Sequence, residues 1–357
     1  MENYQIAVIP GDGIGKEVMP EGVKVLEAAA QASASFKCQY TYFPWGCEYY
    51  LSRGSMMEKD ALKILEKFDA IYFGAVGFPS VPDSVSLRGM RLAICQGFDQ
   101  YANIRPAVLL PGIQSPLAGK GPEAIDFIVI RENTEGEYCG VGGRAHRGLP
   151  IEVAVQSGVF SRVGIERVIR FAFQLAQKRR GCLVSATKSN ALEHAFELWD
   201  EVFAQVGLEF PDVNAEQVLV DALAARFVLR PESLDVVVAS NLFADILTDL
   251  GAALAGSLGM APTANLNPER MYPSMFEPIH GSAPDIYGRQ IANPVGMIWS
   301  GALMMDFLGQ HEVSKHIVAA IRMLTGRGQP LTPDIGGSGR TFEVGNAVAQ
   351  IVRESFA

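Results

Sequence analysis

Short runs of apolar, β-branched residues alternate along this chain with segments of helical periodicity, and that alternation restricts the fold more than any other feature. QIAVIP, DAIYFGAV, DFIVIRE, IEVAVQ and DVVVAS each have the length of a buried strand rather than a helix. Between them, Val18, Gly22, Val25, Leu26 and Ala29 share one face of a helix expected over residues 16–31. Over 161–178, Ser161 is placed to cap a helix with Ile165, Val168, Ile169, Ala172 and Ala176 as its apolar stripe. Strand and helix in alternation give an α/β protein with a largely parallel sheet. A chain of 357 residues is expected to form two domains. Proline- and glycine-rich stretches after Arg105 and around Gly256 to Pro268 suggest two crossings, which would make the middle a domain of its own.

Composition narrows the class. Apolar residues make up 48% and charged residues 19%, and no uninterrupted apolar stretch of about 18 residues is present, so a water-soluble protein with no membrane partner is expected. The start, MENYQIAVIP, has no basic segment leading into an apolar one, so export is not expected. Cys38, Cys47, Cys95, Cys139 and Cys182 lack any C-x-x-C spacing, which suits a reducing cytoplasm better than a disulfide framework or a zinc site. A net charge of −9 argues against nucleic acid as a partner. An anionic substrate would need arginines gathered locally.

The segment NLFADILTDL carries Asp245 and Asp249 four apart on an otherwise apolar helical pattern, which puts both carboxylates on one face. A solvated acidic stripe is the alternative, though Leu242, Phe243, Ile246, Leu247 and Leu250 leave it little polar surface. Carboxylates without histidine or cysteine suit Mg²⁺ or Mn²⁺. Asp221 taken alone reads as an ordinary strand-to-helix cap. Arg88, Arg91, Arg105 and Arg131 are the candidate carboxylate grips, and Arg131 directly follows a strand, where open α/β sheets bind ligands. Surface ion pairing is the competing reading for each. Lys188 and Tyr138 also follow strand-like runs. GDGIG is an incomplete dinucleotide turn, with Lys16 where a third glycine would stand, so Gly11, Gly13 and Gly15 are expected to serve conformation. The loop EPIHGSAPDIYGRQIANP is rich in groups suited to phosphates and a ribose, against the alternative of a plain surface loop. GEYCGVGGRAHRG reads as a flexible loop or hairpin tip.

Taken together, IPGDGIGKE, YANIRP, RENTEGEY, TKSN, VDALAARF, NLFADILTDL, FEPIHGSAPDIYG and IANP resemble the β-decarboxylating dehydrogenase family, which includes isocitrate, isopropylmalate, D-malate and tartrate dehydrogenases. CEYY, FDAIYFGAVG, GFDQYANIRP and TANLNPER are most similar to its tartrate and D-malate branch. The resemblance implies an isopropylmalate dehydrogenase-like two-domain α/β fold with a mixed sheet, not a Rossmann fold. It implies a large cofactor-binding domain from 1–102 and 258–357, a middle substrate and dimerisation domain over 103–257, and a clasp arm near 136–155 in a homodimer with shared active sites. Asp221, Asp245 and Asp249 would hold Mg²⁺ or Mn²⁺, with Asp221 and Lys188 supplied by the partner subunit, and K⁺ as an accessory ion. Arg105 and Arg131 would clamp substrate carboxylates, and Tyr138 and Lys188, with Asp221, would be the acid and base. His280, Gly281, Ser282, Ala283, Asp285, Ile286 and Asn293, with Asn190 and Asp334, would hold the cofactor. NADP-using members carry Lys and Tyr where Asp285 and Ile286 stand, so NAD is expected.

One departure bears on the substrate. Isopropylmalate-type members have an arginine ten places before the YANIRP arginine, and here that position is Cys95. Arg91, one helical turn earlier, is the candidate replacement. The expected activity is therefore NAD- and metal-dependent oxidation and decarboxylation of a small 2-hydroxy diacid, tartrate or D-malate. Isopropylmalate oxidation is the alternative within the family. A Mg²⁺-dependent phosphoryl-transfer enzyme is the alternative of another class, and it lacks a Walker-type lysine loop.

Overall fold

The computed structural model describes residues 1–356. Its strands, in chain order, are β1 (Glu2–Gly11), β2 (Phe36–Tyr42), β3 (Ala70–Ala75), β4 (Ala102–Val108), β5 (Asp126–Glu132), β6 (Gly142–Ala145), β7 (Val153–Gln156), β8 (Cys182–Thr187), β9 (Asn214–Leu219), β10 (Val236–Ala239), β11 (Pro262–Leu266) and β12 (Ser274–Pro278). The chain divides into two compact units, one made of residues 1–100, 105–125 and 252–357, the other of 101–104 and 126–251. Residues 105–125, which the sequence reading assigns to the middle domain, pack with the two ends of the chain.

In the first unit the strand order is β2-β1-β3-β12-β11. The parallel pairing of β1 with β2 and β3 sets Glu2 against Phe36 and Val8 against Tyr72. The sheet is mixed, because β11 and β12 run antiparallel with Ala264 opposite Phe276. Every residue of β3, AIYFGA, is buried, as expected for a strand covered on both faces. Helices Gly15–Ser33, Val295–Phe307 and Thr341–Ser355 pack together in this unit.

In the second unit β5, β10, β8 and β9 lie in that order and run parallel, with Val237 of β10 between Val129 and Val184. The helix Arg162–Gln177 begins as expected at Ser161, whose Oγ accepts from the Gly164 N–H at 3.0 Å. Its stripe of Ile165, Val168, Ile169 and Ala172 is buried over β5, β8 and β10.

One strand expectation fails in its environment. IEVAVQ was expected to be a buried strand, but β7 pairs only with β6 in an antiparallel hairpin whose residues are all exposed, Val153 at 53% and Val155 at 58%. Its apolar period of two marks a face fit for burial and says nothing about which surface covers it. Among the described residues, no helix is long and apolar enough to cross a membrane, and no disulfide joins any of the five cysteines.

Candidate active site

The segment RENTEGEY builds one part of the site in the second unit. Glu132, buried at the end of β5, accepts from the Thr134 N–H (3.0 Å), the Thr134 hydroxyl (2.7 Å) and the Glu135 N–H (2.8 Å), which fixes the turn that follows. Burial outweighs those donors and raises its carboxyl above the ordinary glutamate value. The turn leads into a short 3₁₀ turn, Glu137–Cys139, that carries Tyr138. Arg131 is only 2% exposed; its Nε and Nη2 donate to Asn241 Oδ1 at 3.1 and 2.7 Å, and its Nη1 is paired with Asp245. The Tyr138 hydroxyl donates to the other oxygen of Asp245 at 2.9 Å, and the Arg131 guanidinium lies 5.2 Å from the centre of the Tyr138 ring.

Asp245 and Asp249 both lie on the helix Asn241–Leu254, one turn apart, with Asp245 half-buried and Asp249 exposed. A second cluster forms where β8 and β9 end side by side. Lys188 Nζ lies 2.5 Å from Asp221 Oδ1, and Asp221 sits in the first turn of the helix Val220–Leu229. The ammonium holds the Asp221 carboxyl below its usual range. Asn190 is exposed in the turn just after Lys188. Among the described residues of one copy, no three His, Cys, Asp or Glu side chains come together to hold a metal. The acids of NLFADILTDL and VDALAARF are accessible oxygen donors of the kind Mg²⁺ or Mn²⁺ takes, and a complete set would require both clusters.

The remaining arginines lie in the first unit. Arg105, on β4, is buried. Arg91 closes a π-helical turn, Leu87–Arg91, that runs into the helix Leu92–Gly97. Its guanidinium meets Glu277 at 2.8 Å and Asn265 at 3.4 Å. Cys95 is fully buried in an apolar cluster with Ile94 and Phe98, so this position contributes packing rather than a charge.

The loop EPIHGSAPDIYGRQIANP lies in the same unit. A cavity of about 590 Å³ is walled by Gly77, Phe78 and Pro79 on one side and by Gly281, Ser282 and Ala283 on the other, a size suited to part of a dinucleotide. His280 Nε2 is buried without a hydrogen-bond partner, and burial lowers the ring's pKa. Asp285 is exposed and Ile286 half-buried. Asn293 donates to Asp334 at 3.0 Å, and Asp334 also accepts from Ser257 (2.6 Å) and Thr332 (2.5 Å), so that carboxylate braces the loop base.

GDGIG serves conformation, as the sequence suggests, and does so by bracing both walls of this cavity. Gly13 has φ +52°, and a Cβ there would meet the Ser282 carbonyl oxygen at 2.0 Å. The Ile14 N–H donates to that carbonyl at 2.9 Å. Buried Asp12 accepts from the Cys47 N–H at 2.8 Å and from the Gly77 N–H at 3.0 Å. Asp12, Asn241 and Glu277 escape the sequence reading; their polarity inside apolar or glycine-rich runs is the only local signal.

A model of the isocitrate/isopropylmalate dehydrogenase family matches residues 5–348. The chain belongs to that family. A probable tartrate dehydrogenase/decarboxylase of Agrobacterium vitis is 54% identical over 99% of both chains. The D-malate dehydrogenase (decarboxylating) of Escherichia coli K12 is 52% identical, also over 99% of each. The crystal structure of isocitrate dehydrogenase from Methylococcus capsulatus superposes with a TM-score of 0.89 at 31% identity, covering 98% of this chain and 99% of that one. The chain thus has the α/β fold of isocitrate and isopropylmalate dehydrogenases, with its mixed sheet, as the motifs imply. As a member of the family it is an enzyme, an oxidoreductase.

Proposed function

We propose that this enzyme oxidises D-malate or tartrate at the 2-hydroxyl, releasing a carboxylate as carbon dioxide where the keto product allows it. The observation that carries this reading is Arg131, a buried guanidinium flanked by an acid and a phenol that both serve the same chemistry. The relatives named for tartrate and D-malate support the choice of diacid. Cys95, apolar and enclosed where isopropylmalate-type members have an arginine, agrees with a substrate other than isopropylmalate.

When bound, NAD would accept the hydride, and Mg²⁺ or Mn²⁺ at Asp221, Asp245 and Asp249 would polarise the hydroxyl and its neighbouring carboxylate. Arg131 and Arg105 are the proposed carboxylate grips in this reading, and Arg91, aligned by Glu277 and Asn265, is a further candidate. Lys188 Nζ, having first released its ammonium proton to solvent, receives the hydroxyl proton, with Asp221 beside it. The Tyr138 hydroxyl returns a proton to the carbon that loses carbon dioxide. Exposed Asp285 accepts the ribose hydroxyls, which favours NAD over NADP.

Two copies complete the site in this proposal. Lys188 and Asp221 form one cluster, and Asp245 with Tyr138 another. The hairpin β6–β7 exposes Val153 and Val155, and the helices Val220–Leu229 and Asn241–Leu254 expose Leu229 at 70% and Ile246 at 62%. Such apolar surface suits burial against a second copy. Five cysteines without a disulfide fit a cytoplasmic setting.

The test follows NADH formation with Mn²⁺ across D-malate, the tartrates, isopropylmalate and isocitrate, with carbon dioxide measured alongside. Turnover confined to D-malate or a tartrate, and lost on chelation, supports the reading. A preference for isopropylmalate or isocitrate refutes it.

A further inference from the structure

Asn241 is 1% exposed and stands at the first position of the helix that carries Asp245. Its Oδ1 accepts two hydrogen bonds from Arg131, from Nε at 3.1 Å and Nη2 at 2.7 Å. Its Nδ2 donates to the Glu135 carbonyl at 3.1 Å. The amide has one workable orientation, because a flip would point an NH₂ at two guanidinium donors and an oxygen at a carbonyl.

We propose that Asn241 is a positioning residue that orients Arg131 for a substrate carboxylate without neutralising its charge. This inference rests on the reading of Arg131 as a carboxylate grip. A carboxylate in the same place would satisfy the same two N–H groups as a forked ion pair and cancel the charge that draws an anionic substrate. Nη1 already pairs with Asp245; the neutral amide fixes the plane of the guanidinium and adds no second counter-charge to it. The same side chain, through Glu135, ties the grip to the turn that carries Tyr138; a Cβ on Gly136 would lie 3.2 Å from Asn241 Cβ, so this turn sits directly on the amide.

The experiment compares Asn241→Asp, Asn241→Ala and Arg131→Lys with the wild-type enzyme, measuring KM for the diacid, KM for NAD and thermal unfolding. Asn241→Asp is nearly isosteric and is expected to raise the KM for the diacid by about tenfold or more, with the KM for NAD unchanged. Asn241→Ala is expected to raise the diacid KM less than Asn241→Asp does, yet to unfold at a lower temperature. A merely structural role predicts the opposite order, with alanine worse than the isostere in every respect, and that order overturns the proposal. A wild-type diacid KM in both Asn241 variants, beside a raised one in Arg131→Lys, also overturns it. An unchanged diacid KM in Arg131→Lys instead defeats the reading of Arg131 on which it rests. Should Asn241→Asp fail to fold, Asn241→Ala alone decides, since an unshifted diacid KM there is fatal.

Discussion

Lys188 and Asp221 meet, Nζ to Oδ1 at 2.5 Å, because β8 and β9 run parallel with Thr187 opposite Leu219, and each strand delivers its charged residue just past its end. A slip of the register would part them. Lys188→Met is expected to lower the rate of hydride transfer by about 10²- to 10⁴-fold, the range of general acid–base catalysis, with little change in folding. A single-turnover measurement of NADH formation checks this, and an unaltered rate contradicts the base assignment.

Tyr138 donates to Asp245 and lies beside Arg131. Tyr138→Phe keeps the ring and removes the proton, so it should slow loss of carbon dioxide by about 100-fold or more while sparing hydride transfer. Parallel assays of NADH and carbon dioxide on D-malate separate the two steps. Equal losses in both would deny the phenol its role as acid.

Asp285, proposed to meet the ribose of NAD, is exposed. Asp285→Lys should cut the NAD-to-NADP ratio of kcat/KM by about tenfold or more, by removing a ribose acceptor and attracting a 2′-phosphate. A ratio that does not move counts against the contact.

Gly13 has φ +52° with the Ser282 carbonyl in the place of a side chain. Gly13→Ala should cost at least about 1–2 kcal/mol for the left-handed backbone alone, with the steric clash in addition. The displaced loop should also weaken NAD binding. Calorimetry and a fluorescence titration with NADH measure both effects, and a variant with wild-type values for each removes the brace.

Glu132 supplies a pH test of stability. Burial raises its folded pKa above the unfolded value of about 4.3. As pH rises through the interval between those values, the unfolded chain ionises first, so the folded state loses stability across that window and holds a lower plateau above it. Glu132→Gln should remove this part of the pH dependence. Denaturant midpoints measured across that window test it, and identical slopes for the two proteins would refute the assignment.

Much of the scaffold was legible because its signals are local. The runs at 70–75 and 236–239 are apolar throughout and become buried strands, and Ser161 caps its helix with its own hydroxyl. What escaped depends on distant residues. Nothing within IEVAVQ itself tells that β7 leaves the main sheet for an exposed hairpin; only the glycine-rich GEYCGVGGRAHRG before it hints at a hairpin tip. Asn241 acquires meaning only through Arg131, 110 positions away, and Asp12 only through Cys47 and Gly77. Asp245 and Asp249 were legible as a pair because helical spacing alone aligns them.

The ion pair between Arg131 and Asp245 gives the site its own counter-ion. A dication alone must displace the buried guanidinium, and a dianion alone must displace the partly exposed carboxylate, each leaving one charge of the pair without its partner. Arriving together, they exchange partners with no net change in charge, so the two are expected to load cooperatively and a diacid to strengthen the hold on its metal.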